Sequence, residues 1–151
     1  MKGGYLLKAK VERTVMAVAK VQAGMSKDTT QVGAVLIKRT GQIIMSGYNG
    51  PPAGLIDSDD KFVRPDKYKY AAHAEENLIT QAARFGIATD GCIVVCTHAP
   101  CPACMRKMIA AGIVGCIYGD GRYGGLDEGR PFVEVMVRES GFKLYPYNPG
   151  D

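Results

Sequence analysis

Residues 92–118, CIVVCTHAPCPACMRKMIAAGIVGCIY, alternate between two kinds of local pattern. Cys92–Thr97 is an apolar run of strand length, and it predicts a buried β-strand. Cys101–Ala111 has helical apolar spacing and stops at Gly112, after which Val114–Tyr118 predicts a second strand. Two strands joined through a helix normally lie parallel in one sheet, so this stretch predicts an α/β fold with a partly parallel sheet between helices.

Apolar spacing and turn residues predict further elements on both sides of this stretch. The predicted helices cover Leu6–Gln22, Ala74–Phe85 and Pro131–Ser140, the last with its proline in the first turn. The predicted strands cover Val32–Lys38, Gln42–Tyr48 and Phe142–Tyr147, and the first two form a hairpin around a turn at residues 39–41. Asn49–Tyr70 contains three prolines and charges of both signs, so it is predicted to be a long loop.

The overall composition limits the class of protein. A chain of 151 residues with 46% hydrophobic and 23% charged residues is typical of one compact domain, here residues 1–151. The formal net charge is +4, and no basic run resembles a nucleic-acid-binding arm. No apolar stretch approaches the ~18 residues of a membrane span, and the N-terminal residues lack the apolar core of a signal peptide. Five cysteines are an odd number, so we expect a reducing cytoplasmic location with the thiols free or metal-bound.

A metal site is predicted from residues at two helix starts. Cys101 and Cys104 alone fit a redox dithiol, half of a structural zinc site or part of a catalytic metal site. His73 also lies at a predicted strand-to-helix junction, and Glu75 follows it in the first helical turn. Two thiolates and one imidazole suit zinc and leave a fourth position open, which is the arrangement of catalytic zinc sites. We therefore predict that His73, Cys101 and Cys104 bind Zn²⁺ and that Glu75 is a catalytic acid–base that does not bind the metal.

The other cysteines and the second histidine are interpreted differently. Cys92, Cys96 and Cys116 lie in apolar strands, where a buried cysteine behaves as a small hydrophobic residue. His98 is expected to be a loop histidine bonded to the backbone, and a contribution to a substrate pocket is the alternative. The Glu76 carboxylate is expected only to interact favourably with the positive end of the helix dipole.

Together, the residues His73-Ala74-Glu75 and Pro100-Cys101-Pro102-Ala103-Cys104 match H-x-E…P-C-x-x-C, the signature of zinc deaminases. Beyond these motifs, residues 26–123 resemble the deoxycytidylate (dCMP) deaminases of the cytidine deaminase superfamily. The resemblance also rests on SKDTTQVGAV (26–35), SGYNGPPAG (46–54) and AGIVGCIY (111–118), which agree with that family in order and spacing. The tRNA adenosine deaminases share both zinc motifs but typically have a shorter link than the one between Asn49 and His73.

This resemblance implies a three-layer α/β/α sandwich with a central five-stranded mixed sheet. It implies hydrolysis of dCMP to dUMP and ammonia, which would feed dTMP synthesis, with one Zn²⁺ per subunit. It also implies a homohexamer that dCTP activates and dTTP inhibits, with Mg²⁺ accompanying the regulatory nucleoside triphosphate. Neither a membrane nor a nucleic acid is expected as a partner.

The resemblance further implies how the substrate is held. The N–H of Ala74 would meet the cytosine O2, and the Asn49 amide would hold the sugar 3′-hydroxyl. Ser26 and Lys27 would meet the 5′-phosphate, and Tyr123 would stack near the base or cover the phosphate. Structural roles stay open as alternatives: a turn former at Asn49, a solvated turn at Ser26 and Lys27, and core packing of the Tyr123 ring.

Two other functions stay open on the sequence. A deaminase that acts on a base in tRNA or another nucleic acid would need a basic groove beside the metal site. A zinc-stabilised binding module or a dithiol redox protein would keep its activity in the Glu75→Ala variant, because neither chemistry uses that carboxylate.

Overall fold

The computed structural model of the chain describes residues 6–121 and 126–150. These ranges contain five β-strands: β1 (Gly33–Ile37), β2 (Ile43–Tyr48), β3 (Ile93–His98), β4 (Gly115–Gly121) and β5 (Lys143–Pro146). They also contain five α-helices: α1 (Ala9–Ala23), α2 (Lys67–Tyr70), α3 (Ala74–Phe85), α4 (Pro102–Ala110) and α5 (Leu126–Ser140). Over the same two ranges, no helix has both the length and the apolar character needed to cross a membrane.

The strands form one mixed sheet in the order β2–β1–β3–β4–β5. β1 is antiparallel to both of its neighbours, whereas β3, β4 and β5 are parallel to one another. The predicted hairpin is confirmed: Gly41 in its turn has φ 91°, and the Gly41 N–H donates to the Lys38 carbonyl over 2.8 Å. The parallel pairing of β3 with β4 confirms the strand–helix–strand prediction for residues 92–118.

Helices cover both faces of this sheet. Along β1, Val35 and Ile37 point into a core shared with α1, while Ala34 and Leu36 point into a core shared with α3, α4 and α5. All four side chains are fully buried, which explains why this strand is apolar throughout instead of alternating. The predicted three-layer α/β/α sandwich with a five-stranded mixed sheet is therefore confirmed.

One glycine lets α1 approach the sheet closely. A β-carbon at Gly33 would lie 1.9 Å from the carbonyl oxygen of Ala19 and 2.7 Å from the backbone nitrogen of Ala23. Since real side chains do not approach a backbone this closely, any larger residue at this position would push α1 away from β1.

Two helix starts differ from their predictions. α1 begins at Ala9 rather than at the predicted Leu6. Leu7 is buried in the core as predicted, but it lies before the helix. α5 begins at Leu126, so Pro131 lies inside the helix and not in its first turn. Proline is only preferred in the first turn, and further in it removes one i→i−4 hydrogen bond that the rest of α5 tolerates.

The predicted loop over Asn49–Tyr70 contains two short helices, a 3₁₀-helix at Asp59–Phe62 and α2 at its end. Neither short helix was predicted, because the prolines and clustered charges of this segment are typical of a loop. As a result, His73 follows a helix and not a strand, so the prediction of a strand-to-helix junction at His73 is wrong.

Candidate metal centre and active site

The first turns of α3 and α4 carry the three predicted metal ligands. His73 and Cys101 are the residues that immediately precede these helices, and both have extended backbone angles. Their carbonyls accept the first helical hydrogen bonds, from Asn77 and Met105, each over 2.9 Å. Neither side chain forms a hydrogen bond that caps its own helix.

The three ligand atoms lie close together. His73 Nδ1 is 3.3 Å from Cys104 Sγ and 3.5 Å from Cys101 Sγ, and all three atoms lie within 4.8 Å of one another. Zinc bonds of ~2.3 Å to sulfur and ~2.0–2.1 Å to nitrogen, at a tetrahedral angle, would separate nitrogen from sulfur by roughly 3.5 Å. The observed spacing therefore fits one zinc ion held by these three residues.

The charges of this cluster also suit a cation. A hydrogen bond from the Cys104 thiol lowers the pKa of Cys101 to about 4. Burial opposes this shift, and the His73 ring adds to it. The same contact, followed by burial and the nearby Glu75 carboxylate, raises the pKa of Cys104. Hydrogen bonding to Cys101 raises the pKa of His73. One thiolate is therefore present at neutral pH, and binding of a metal would release the second thiol proton.

No fourth side chain closes the cluster among residues 6–121 and 126–150, where this is the single group of three or more potential metal ligands. His98 ends β3 and is therefore not the loop histidine that we predicted, and its Nδ1 lies 3.0 Å from the Thr97 hydroxyl. All five cysteines are free of disulfides. An N/S₂ ligand set with one open position is the arrangement that catalytic zinc sites use.

Glu75, in the first turn of α3, is 1% exposed. Its Oε1 accepts a hydrogen bond from Cys96 Sγ over 3.4 Å, and its Oε2 is buried with no hydrogen-bond partner in the described part of the chain. Burial raises the pKa of this carboxyl group above its usual range. A buried carboxylate with a raised pKa, beside three metal ligands, is suited to proton transfer.

Glu76 next to it has a different environment. Its carboxylate is partly exposed and forms an ion pair with Lys107 of α4. This pair links α3 to α4 on the outside of the site. The two adjacent glutamates thus divide into a buried one at the ligands and a surface one that connects the helices.

The described substrate candidates lie at the start of α3 and around one neighbouring cavity, to which α3 contributes Asn77 and Gln81 but neither Glu75 nor a predicted metal ligand. Ala74 is buried as the first residue of that helix, where backbone N–H groups have no partner within the helix. Lys27 and Asn49 line one cavity of about 220 Å³. Lys27 also forms an exposed ion pair with Asp57, at 2.7 Å. Tyr123 lies outside the described residues.

Asn49 and Ser26 take part in the local backbone structure. Asn49 Oδ1 accepts the Val32 N–H over 2.9 Å, and its Nδ2 donates to the Thr30 carbonyl over 2.8 Å. The Ser26 hydroxyl donates to the Asn49 carbonyl and accepts from the Asp28 N–H. These bonds use one of the two N–H groups of the Asn49 amide and one of the two lone pairs of the Ser26 hydroxyl. Each side chain could therefore still bind a substrate, and both substrate roles stay predictions.

Three features of the site were not predicted. The Cys96 thiol contacts Glu75, so Cys96 is more than the apolar filler that its strand position indicated. Asn77 Nδ2 donates to the carbonyls of Tyr48 and Gly50, which fixes the loop after β2. A buried ion pair joins Lys67 Nζ to Asp28 Oδ1 at 3.1 Å. Its partners are 39 positions apart, and no local pattern signals such a contact.

The family model described as the cytidine and deoxycytidylate deaminase zinc-binding region matches residues 9–120. The chain belongs to this family. The match spans both helix starts that carry the ligands, and it confirms the family predicted from the motifs. The zinc-binding character of this family is consistent with the His73–Cys101–Cys104 group of potential metal ligands.

Individual members of the family are similar to different extents. An uncharacterised deaminase of Aliivibrio fischeri is 44% identical over 97 residues, covering 64% of this chain and 63% of that protein. The deoxycytidylate deaminase of Homo sapiens is 35% identical over 120 residues, covering 75% of this chain and 66% of that protein. The dCMP deaminase of cyanophage S-TIM5, solved in complex with dCMP and dUMP, is 25% identical with a TM-score of 0.74 and covers 93% of this chain and 99% of its own. The chain thus spans slightly less than two thirds of the two curated relatives but nearly all of the phage structure.

Proposed function

We propose that this chain hydrolyses dCMP to dUMP and ammonia with one zinc ion per subunit. The observation that carries the proposal is the buried Glu75 carboxylate, with one oxygen unpartnered within the described residues, beside the three ligands. Ligands and carboxylate share two helix starts, as the zinc-deaminase signature requires. The similarity to deaminases named for deoxycytidylate supports this substrate.

The proposed reaction needs proton transfers in one small space. Glu75 would accept one proton from the attacking water and donate it to N3 of the cytosine ring, while the water oxygen bonds to C4. It would then carry the remaining proton of that oxygen to the amine, so that the C4–N bond breaks, ammonia leaves and a C4 carbonyl remains. Because Glu75 is almost fully buried, its protonated form is stabilised and its proton is not exchanged freely with solvent. His73, Cys101 and Cys104 would hold zinc, which when bound supplies Lewis-acid activation of the attacking water.

Substrate placement is proposed from the first turn of α3 and from one cavity near it. The first-turn N–H groups of α3, including that of Ala74, are donors suited to the cytosine O2. Asn49 and Lys27 line one cavity together with Asn77 of α3, so they are our candidates for the sugar and the phosphate, and Ser26 donates a hydrogen bond to the Asn49 carbonyl. The Tyr123 contact is proposed from the resemblance alone.

Regulation and assembly are also proposed from the resemblance alone. They comprise activation by dCTP, inhibition by dTTP, Mg²⁺ bound with the triphosphate, and a homohexamer. A cytoplasmic location is proposed separately, from the odd number of cysteines. Adding each triphosphate with and without Mg²⁺ to the deaminase assay tests the regulation. Sedimentation of the purified protein tests the assembly.

The decisive experiment compares four substrates: dCMP, cytidine, dCTP and a tRNA. Ammonia release would be measured with zinc-loaded protein, and we expect turnover of dCMP to be fastest. Faster turnover of the tRNA would favour the nucleic-acid deaminase, and faster turnover of cytidine would favour a nucleoside enzyme. No ammonia from any substrate, together with reversible oxidation of Cys101 and Cys104, would favour the redox alternative.

A further inference from the structure

Cys96 in β3 contacts the one carboxylate that the proposed reaction uses. Its Sγ lies 3.4 Å from Glu75 Oε1, and the two side chains are 0% and 1% exposed. An S–H group is a hydrogen-bond donor, whereas an ionised carboxylate can only accept. The contact is therefore a hydrogen bond from the sheet to the functional side chain on α3.

This hydrogen bond makes the two oxygens of Glu75 inequivalent. Oε1 is tied to β3, while Oε2 is buried with no partner in the described ranges. A carboxylate turns about its last carbon–carbon bond, and fixing one oxygen fixes the other as well. The contact with Cys101 is the main cause of the raised pKa values of His73 and Cys104, and the Glu75 charge adds to both. Burial opposes the rise at His73 and supports it at Cys104. The carboxylate therefore lies close to the ligands.

The thiol stays protonated in this position. Burial, followed by the charge of Glu75, raises the pKa of Cys96 well above its usual value, so the S–H donor persists at neutral pH. The other cysteines of this core do different things. Cys92 lies four residues earlier and donates to the Ala88 carbonyl over 3.7 Å, and Cys116 is buried in β4. The bond to Glu75 is thus a feature of Cys96 and not of every buried thiol in this layer.

We propose that Cys96 is a positioning residue for catalysis: its thiol holds Oε1 of Glu75 so that Oε2 faces the reacting water and base. The inference rests on the deaminase function proposed above. Because the hydrogen bond acts on the carboxylate and not on the substrate, its loss should lower kcat and leave KM nearly unchanged.

The experiment compares Cys96→Ala, Cys96→Ser and Cys92→Ala with the unaltered, zinc-loaded protein. Alanine removes the donor, serine replaces S–H with O–H, and Cys92→Ala removes a thiol from the same core about 13 Å along the strand. We expect Cys96→Ala to lower kcat about tenfold, with KM within about twofold. We expect Cys96→Ser and Cys92→Ala to retain kcat within about threefold. Zinc content and thermal midpoint would be measured for each variant, and Cys96→Val replaces the alanine variant if the latter does not fold.

A second readout does not depend on activity. The S–H stretching band of Cys96, isolated as the infrared difference between the unaltered protein and Cys96→Ala, should shift when Glu75 is replaced by glutamine. An unaltered kcat in Cys96→Ala, an equal loss in Cys96→Ser, or a band that does not respond to Glu75→Gln would each overturn the positioning role. If the unaltered protein itself fails to deaminate dCMP, the proposed function falls instead, while the infrared result still decides whether the hydrogen bond exists.

Discussion

The sharpest prediction concerns the replacement of Glu75 by glutamine. Glutamine keeps the length and volume of the side chain but cannot accept or return a proton. Acid–base catalysis by one side chain typically contributes about 10²–10⁴-fold. We therefore expect kcat for dCMP to fall by that factor, which corresponds to roughly 3–5 kcal/mol in the activation free energy.

The effect on stability should have the opposite direction. Burial raises the pKa of Glu75, which means that the folded protein holds this proton more tightly than the unfolded chain. The resulting loss of stability is absent below the unfolded pKa, grows as the pH rises towards the folded pKa, and is complete above the folded pKa. Glu75→Gln removes this cost, so we expect an equal or higher thermal midpoint at neutral pH together with the loss of activity.

The assay is ammonia release, with scanning calorimetry and zinc content measured on the same samples. Glu76→Gln is the matched control because it changes the adjacent residue, whose partly exposed carboxylate pairs with Lys107. We expect it to retain kcat within about twofold and to lose at most about 1 kcal/mol of stability. Full activity in the Glu75→Gln variant would refute the assignment of Glu75 as the acid–base. An equal loss of activity in the Glu76→Gln variant would also refute it.

Three further outcomes follow from the geometry. Removing zinc with a chelator should abolish ammonia release and lower the thermal midpoint, and added Zn²⁺ should restore both, because the three predicted ligands from two helix starts would share the ion. Lys67→Met should lower the free energy of unfolding by about 3–5 kcal/mol in urea titrations, because it leaves Asp28 buried without its cation. Against the effect of burial, the Thr30 N–H and Lys67 lower the pKa of Asp28, so its stabilisation is full above the unfolded value of about 3.9 and is lost as the pH falls through the folded value. Gly33→Ala should destabilise the fold by about 3 kcal/mol, because the new β-carbon would overlap the Ala19 carbonyl oxygen.

Each of the two substitutions has its own control variant. Lys69→Met removes an exposed lysine of the same short helix and should change stability by no more than about 0.5 kcal/mol. Gly24→Ala adds a methyl group where the backbone has φ −62° and the nearest neighbouring atom would be 3.2 Å away. Equal losses from Lys67→Met and Lys69→Met, or from Gly33→Ala and Gly24→Ala, would contradict the packing argument. Activity that persists after complete metal removal would contradict the metal role.

Much of the site was readable because its parts are local. His73 and Glu75 are two residues apart, Cys101 and Cys104 are three apart, and each pair occupies one helix start. Local spacing fixes which side chains share a helical turn, and the combination of the two motifs indicates one chemistry. The alternating elements of residues 92–118 were readable for the same reason.

Other parts required contacts between distant segments. The predictions placed Cys96 among inert core residues, because only the packing of β3 on α3 brings its thiol to Glu75. The pair between Asp28 and Lys67 joins a loop to the short helix α2, and the sequence alone gives no sign that either charge is buried. The helix start at Pro131 was misplaced because propensity is a weak guide next to tertiary packing.

The sequence by itself determined the candidate metal ligands, the candidate acid–base and the layered α/β class, because residue chemistry and short-range periodicity are properties of the chain. Only the tertiary structure decided that the two helix starts meet with nitrogen–sulfur separations of 3.3 and 3.5 Å. It also decided that Glu75 is buried, that one of its oxygens is tied to β3, and that Glu76 faces outward. Distance, burial and the orientation of a hydrogen bond arise when segments far apart in the chain pack together, and no short stretch of sequence contains them.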